Sequence, residues 1–189
     1  METTAATTSS RTPLLPTGLI VVAVLIVSAI FCISAGSWYL TFKAVHVSFA
    51  VIWIGGGVLL TILGIVAERS NDPAQLAAVA RQAATVGEKF FSPTSLITLL
   101  AGIGMMLNTN WGWGHFWITA GLVGFASTFV VGMGFLGPRS KKLHALMQTV
   151  GPNAPETQAA IKQILLIARI DVAVLLLVVI DMVVKPFST

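Results

Sequence analysis

The sequence predicts an all-α fold: a polytopic transmembrane helical bundle with a four-helix core plus one N-terminal transmembrane helix, five spans in all. Three observations carry this. The 189 residues are 56% hydrophobic and only 10% charged, with a mean hydropathy of +0.89, whereas a soluble domain carries about 25% charged residues. No charge occurs between Arg11 and Lys43, between Lys43 and Glu68, or between Phe90 and Pro138; each stretch can cross a ~30 Å hydrocarbon core, which takes about 20 helical residues. Cys32 is the single cysteine, which excludes a disulfide scaffold. The net charge is +4, but the Lys and Arg residues are scattered through loops, which argues against a nucleic-acid partner. The expected partner is the lipid bilayer.

Residues 1–17 form a Thr- and Ser-rich tail with no apolar content to fold on, expected to be disordered and cytoplasmic. Residues 18–37 read as a transmembrane anchor that breaks at Ser34-Ala35-Gly36-Ser37. A cleaved signal peptide is the alternative, but the apolar run continues into Trp38-Tyr39-Leu40 and only Arg11 precedes it. Residues 38–189 form the four-helix domain. Its first span runs from about Tyr39 to Val66. The polar, Gly-rich stretch Asn108 to Gly114 then divides the long uncharged segment into spans near 90–107 and 115–137. The last span runs from about Ile164 to Val184 and stops at Lys185-Pro186. Near 72–88, Asp72-Pro73 reads as an N-cap followed by proline at the first helical position. Leu76, Val79, Ala80 and Ala83 then recur at helical spacing. This is an amphipathic helix, either lying on the membrane surface or packed on the bundle.

Loop charges orient the bundle. Arg69, Arg81 and Lys89 lie in one long loop, Arg139, Lys141, Lys142 and Lys162 in the other, and Arg11 in the tail, against Lys43 and Lys185 on the opposite side. The positive-inside rule places the N-terminus and both loops in the cytoplasm and the C-terminus outside. Trp38, Tyr39, Trp111, Trp113 and Trp117 fall together at the outer interface, where amphipathic rings settle.

Polar residues inside a bilayer are costly and often mark function. Lys43, His46, Ala50, Trp53 and Gly57 follow spacings of 3, 4, 3 and 4 and so share one helix stripe. His46 lies about 9 Å inside a boundary near Leu40 at 1.5 Å per residue. Asp181, at a similar depth on the last span, is its expected acidic neighbour and can also pair with Lys185 four residues on. Arg169 and Asp171 are two apart and need other partners. Met105, Met106 and His115 lie toward the same outer level. With His46 they form a candidate metal set suited to copper, and imidazole alone suits haem iron, although a methionine in an apolar helix is ordinarily packing. His144, in the basic loop, reads as solvated. Gly57, Thr61 and Gly64, then Ser95, Thr98 and Gly102, then Gly124, Thr128 and Gly132 supply small residues for close helix packing.

Lys43-Ala44-Val45-His46, with Trp53 seven residues later and then Gly55-Gly56, resembles the first core helix of the CopD and HemJ-type membrane proteins. These are four-helix bundles, the first associated with copper resistance and uptake, the second with haem binding and protoporphyrinogen IX oxidation. Phe91-Ser92-Pro93-Thr94-Ser95, Trp111-Gly112-Trp113-Gly114-His115, Leu136-Gly137-Pro138 and Val184-Lys185-Pro186 resemble a neighbouring bacterial family of predicted integral membrane proteins with no assigned function. The likeness covers roughly residues 38–186. It implies a multi-pass protein of the bacterial plasma membrane with a cofactor site around His46, Lys43 and Trp53, to which the depth of Asp181 on the last span adds that residue as the expected acidic member. The implied cofactor is haem b, held by His46, with Trp53 and Gly56 as packing residues. Copper held by His46, His115, Met105 and Met106 is the alternative, and a structural or assembly subunit without cofactor is the third reading. The later Trp-Leu-His…Lys segment of the HemJ pattern is missing, so the oxidation reaction is not carried over. Partnership with other membrane subunits or a second copy stays open.

Overall fold

A computed structural model describes residues 15–34 and 36–187; the expected tail lies outside it as far as residue 14. Seven α-helices follow in chain order: α1 Leu15–Ser34, α2 Trp38–Arg69, α3 Pro73–Val86, α4 Ser92–Leu107, α5 Phe116–Val130, α6 Gly137–Thr149 and α7 Pro155–Val184. No strand occurs among the described residues. α3 runs into α4 through a widened π-helical turn, Gly87–Phe91, and α5 into α6 through another, Val131–Leu136. Each pair is therefore one continuous helix, Pro73–Leu107 and Phe116–Thr149. Together with α2 and α7 these make four helices long and apolar enough to cross a membrane. α1 touches the bundle at the start of α2, where Thr41 Oγ1 donates to the Cys32 carbonyl at 3.2 Å.

The spans near 90–107 and 115–137 belong to helices that continue well past the hydrocarbon. α2 has 32 residues, about 48 Å at 1.5 Å per residue, against a core of ~30 Å. The excess sits at the basic end, where the two segments expected as loops are themselves mostly helical: Arg81 lies in α3, Arg139, Lys141 and Lys142 in α6, and Lys162 in α7. There α2, α3, α6 and α7 enclose a hydrophobic cluster of Ala67, Leu76, Ala77, Ala80, Leu143, Ile161 and Leu165. The helix near 72–88 is thus packed on the bundle through Leu76, Ala77 and Ala80. Its start is fixed as the sequence indicates: Asp72 Oδ1 accepts from the Ala74 N–H at 2.9 Å, and Pro73 occupies the first turn. Gln158 Nε2 ties this corner down by donating to the carbonyls of Pro152 at 2.7 Å and Pro73 at 3.2 Å. Asp72→Ala is expected to lower stability by about 1 kcal/mol, the usual value of such a cap, measured by thermal unfolding in detergent. An unchanged midpoint would show that packing alone fixes α3.

Within the spans the helices pack in the order α4–α2–α7–α5, and glycines make each contact. A Cβ on Gly102 or Gly104 of α4 would meet His46 at 3.0 Å or Phe42 at 2.6 Å, both on α2. Gly57 and Gly64 of α2 face Val172 and Leu165 of α7, and Gly121 and Gly124 of α5 face Met182 and Val178 of α7. In lipid no hydrophobic force draws helices together, so close backbone approach carries the association. Gly132 departs from the expected packing stripe, with nothing within 4 Å of its missing side chain.

Candidate functional site

His46 sits half-buried against α4. Its Nδ1 lies 2.7 Å from the Thr98 carbonyl oxygen. Because a carbonyl only accepts, Nδ1 must carry a proton, and in the neutral tautomer this leaves the lone pair on Nε2. The arrangement holds because Gly102, one turn along α4, leaves room for the imidazole. The stripe expected on α2 divides among its neighbours. Lys43 Nζ lies 6.0 Å from the Tyr39 ring centroid, and Trp53 packs edge-on against Phe125 at 5.8 Å. Gly57 faces α7.

Asp181 does not pair with Lys185. The Lys185 ammonium lies over the rings of Trp111 and Trp117, 4.2 and 4.9 Å from their centroids, a cation–π arrangement. Asp181 lies between α7 and α5, its Oδ2 within 3.9 Å of the position a Gly121 Cβ would take. That oxygen is buried without a hydrogen-bond partner, and the hydrogen bond of His46 goes to a backbone carbonyl instead. The reason is competition: a rigid pair of indole faces holds Lys185, and a left-handed residue at the helix end (φ 48° at Lys185) turns its side chain toward them.

The remaining candidates cluster at this tryptophan end. Met106 is buried with Trp117 and Ile118, and Trp111 and Met182 pack against the group. Tyr39, Trp111 and Trp117 form successive edge-to-face contacts at 5.8 and 5.4 Å, so the 108–115 hairpin seals this end. Met105 is half-buried, and the half-buried His115 precedes α5 as an N-cap without a side-chain cap bond. Among the described residues, no three of His, Cys, Asp and Glu gather where they could hold a metal.

The opposite end is open. A chamber of about 1040 Å³ lies between the four spans, with Trp53, Gly57, Ser95, Thr128 and Leu175 among its deep walls. Its mouth carries Arg81, Glu88, Lys89, Lys141, His144 and Arg169, with Asp171 one step further in. Arg169 forms an ion pair with Glu68 (2.6 Å), the single one among the described residues. Both π-helical turns border this space, and such turns recur at functional sites. Their cause is local. Ser92 and Gly137 bond back to Gly87 and Gly132, five residues earlier, and each is followed by a proline that has no N–H to continue an α-helical ladder. The signal was present in the sequence as a repeated heptapeptide, Gly87-x-x-Phe90-x-Ser92-Pro93 and Gly132-x-x-Phe135-x-Gly137-Pro138. It is too short to stand out before the structure places both copies on one cavity.

A family model described as "Predicted integral membrane protein (DUF2269)" matches residues 40–186. No curated protein and no solved structure matches the chain.

Proposed function

We propose that this chain, which belongs to the DUF2269 family of predicted integral membrane proteins, is a haem-associated membrane component built around His46. The observation that supports this reading is the 2.7 Å contact between His46 Nδ1 and the Thr98 carbonyl. Iron-ligating histidines generally donate their other ring N–H to a carbonyl or carboxylate, which fixes the tautomer and aims the free nitrogen. His46 meets that requirement, and no hydrogen bond among the described residues engages its Nε2. Nε2 would hold the iron, and haem bound there would supply one-electron exchange. Trp53 and Gly56 occupy the positions of packing residues in the resembled HemJ pattern; Gly56 receives the Phe91 ring from the π-helical turn before α4, 2.8 Å from its would-be Cβ. The basic end faces the cytoplasm on this reading, by the positive-inside rule, and the membrane is the bacterial plasma membrane. Electron exchange would then involve other membrane subunits or a second copy.

The absorption spectrum of detergent-purified protein after haem-replete expression tests this. A Soret band is expected in the wild type and in Asp181→Asn, and its loss in His46→Ala. A second reading rests on the same contact: a hydrogen bond between neighbouring membrane helices holds them together, at about 0.6 kcal/mol on average. If the bond only fastens α2 to α4, the wild type is colourless and His46→Ala costs stability alone. Copper without haem in the purified protein, lost with His46→Ala, would move the reading to copper handling by His46 with Met105 and His115. Met106, shut beneath Trp117, is the least available of that set.

A further inference from the structure

We propose that the chamber at the basic end binds a single-chain amphiphile with an acidic head, a long-chain carboxylate or phosphate monoester. The site is independent of His46, which does not line it. Its volume, about 1040 Å³, lies just above the ~300–1,000 Å³ range of small-molecule sites. Its depth suits a chain: on α2 the wall runs from Thr61 to Trp53, about 12 Å at 1.5 Å per residue. That wall carries little polar surface. Ser95 Oγ bonds back to the Ser92 carbonyl at 2.9 Å and Thr128 Oγ1 to the Phe125 carbonyl at 2.9 Å. Their hydroxyls are thus already engaged with their own helices, and most of what remains facing the space is aliphatic and aromatic side chain and glycine, with Thr61 and Asp171 as the polar exceptions.

The mouth has the opposite character. Arg81, Lys89 and Lys141 reach it without a carboxylate within ion-pair distance. Arg169 adds a guanidinium whose Nε is buried without a partner, even though Glu68 engages the group from outside the lining. Glu88 and Asp171 face the same space, so with Arg169 paired to Glu68 three further cations stand against two carboxylates. An acidic head at the mouth satisfies the unpaired cations while its chain fills the apolar depth; a compact anion would leave that depth empty, and a neutral chain would leave the cations unpaired. Gly132 lines the chamber with nothing within 4 Å of its would-be Cβ, which makes it the wall position where a larger side chain can be started without a Cβ clash.

The test uses the full chain in phosphatidylcholine nanodiscs, with tryptophan quenching by ω-bromododecanoic acid, ω-bromododecanol as the neutral chain and acetate as the head alone. Saturable quenching by the acid is expected at a concentration at least tenfold below that of the alcohol, without competition from acetate. Trp53→Phe should remove the quenched component. Gly132→Phe should abolish saturable quenching. Lys89→Gln with Lys141→Gln, which leaves the half-buried Glu68–Arg169 pair in place, should bring acid and alcohol to within about threefold of each other. Equal response to acid and alcohol in the wild type, full competition by acetate, or saturable quenching that survives Gly132→Phe would each overturn the proposal.

Discussion

Gly104→Leu is expected to pull α4 away from α2 and to be among the most damaging single substitutions in the membrane-embedded part of the protein. A Cβ at Gly104 would lie 2.6, 2.7 and 2.8 Å from Cδ1, Cε1 and Cγ of Phe42. Those atoms belong to a flat, rigid ring, so one rotation about a flexible bond does not clear them all. Phe42 is itself confined by Trp38, with ring centroids 6.2 Å apart. Asn108 Nδ2 donates to the Gly104 carbonyl at 2.9 Å, so a shift of α4 here also disturbs the start of the hairpin that closes the tryptophan end. Overpacking of this kind costs about 1–3 kcal/mol, and the upper part of that range is expected. Thermal or denaturant unfolding in detergent would measure it, with Gly55→Leu as the control. Gly55 is an exposed glycine of α2 with nothing within 4 Å of its would-be side chain, and leucine is a better helix former than glycine. Equal stability of the two variants would mean that α2 and α4 are not held by close approach.

Glu68→Gln should cost nearly as much at the other end of the bundle. The pair Glu68 Oε2–Arg169 Nη2 spans α2 and α7 at 2.6 Å, with side-chain exposures of 25% and 29%. It is a close charge contact rather than an aligned hydrogen bond, since Nη2 and Nε of Arg169 make none. An exposed ion pair contributes about 0–1 kcal/mol, whereas removing one partner of a buried pair costs about 3–5 kcal/mol. At roughly a quarter exposure an intermediate loss of about 2 kcal/mol is expected for Glu68→Gln, because a guanidinium is left without its carboxylate. Glu68→Gln with Arg169→Met should recover most of that loss, since the stranded charge is gone. A double variant no better than the sum of the two single changes would show that the charges do not act on each other.

Much of the frame was legible because the bilayer imposes it. The uncharged stretches marked four spanning helices, the Asn108–Gly114 segment marked the turn between α4 and α5, and Asp72-Pro73 marked the start of α3. Partner choice was less legible. The i, i+4 spacing of Asp181 and Lys185 permits a pair, but spacing along one helix says nothing about the indoles that another segment brings to Lys185. Gly55, Gly56 and Gly57 show the same limit. They look alike in sequence, yet one is open, one receives the Phe91 ring and one faces Val172. His46 was identified as a polar residue inside the membrane, but its partner, a backbone carbonyl of α4, carries no mark in the sequence.

By itself the sequence determined which segments leave water, because a local balance of apolar and charged side chains decides transfer into lipid residue by residue; how far each helix runs past the hydrocarbon it did not mark. The tertiary structure alone decided how that material is used. Where the helices outrun the hydrocarbon, water drives Leu76, Leu143, Ile161 and Leu165 into a conventional core. Inside the lipid, backbone approach at glycines sets the order α4–α2–α7–α5. The chamber exists because that order leaves α4 and α5 on opposite sides of the space beneath their π-helical turns, a relation between segments that no single stretch of chain contains.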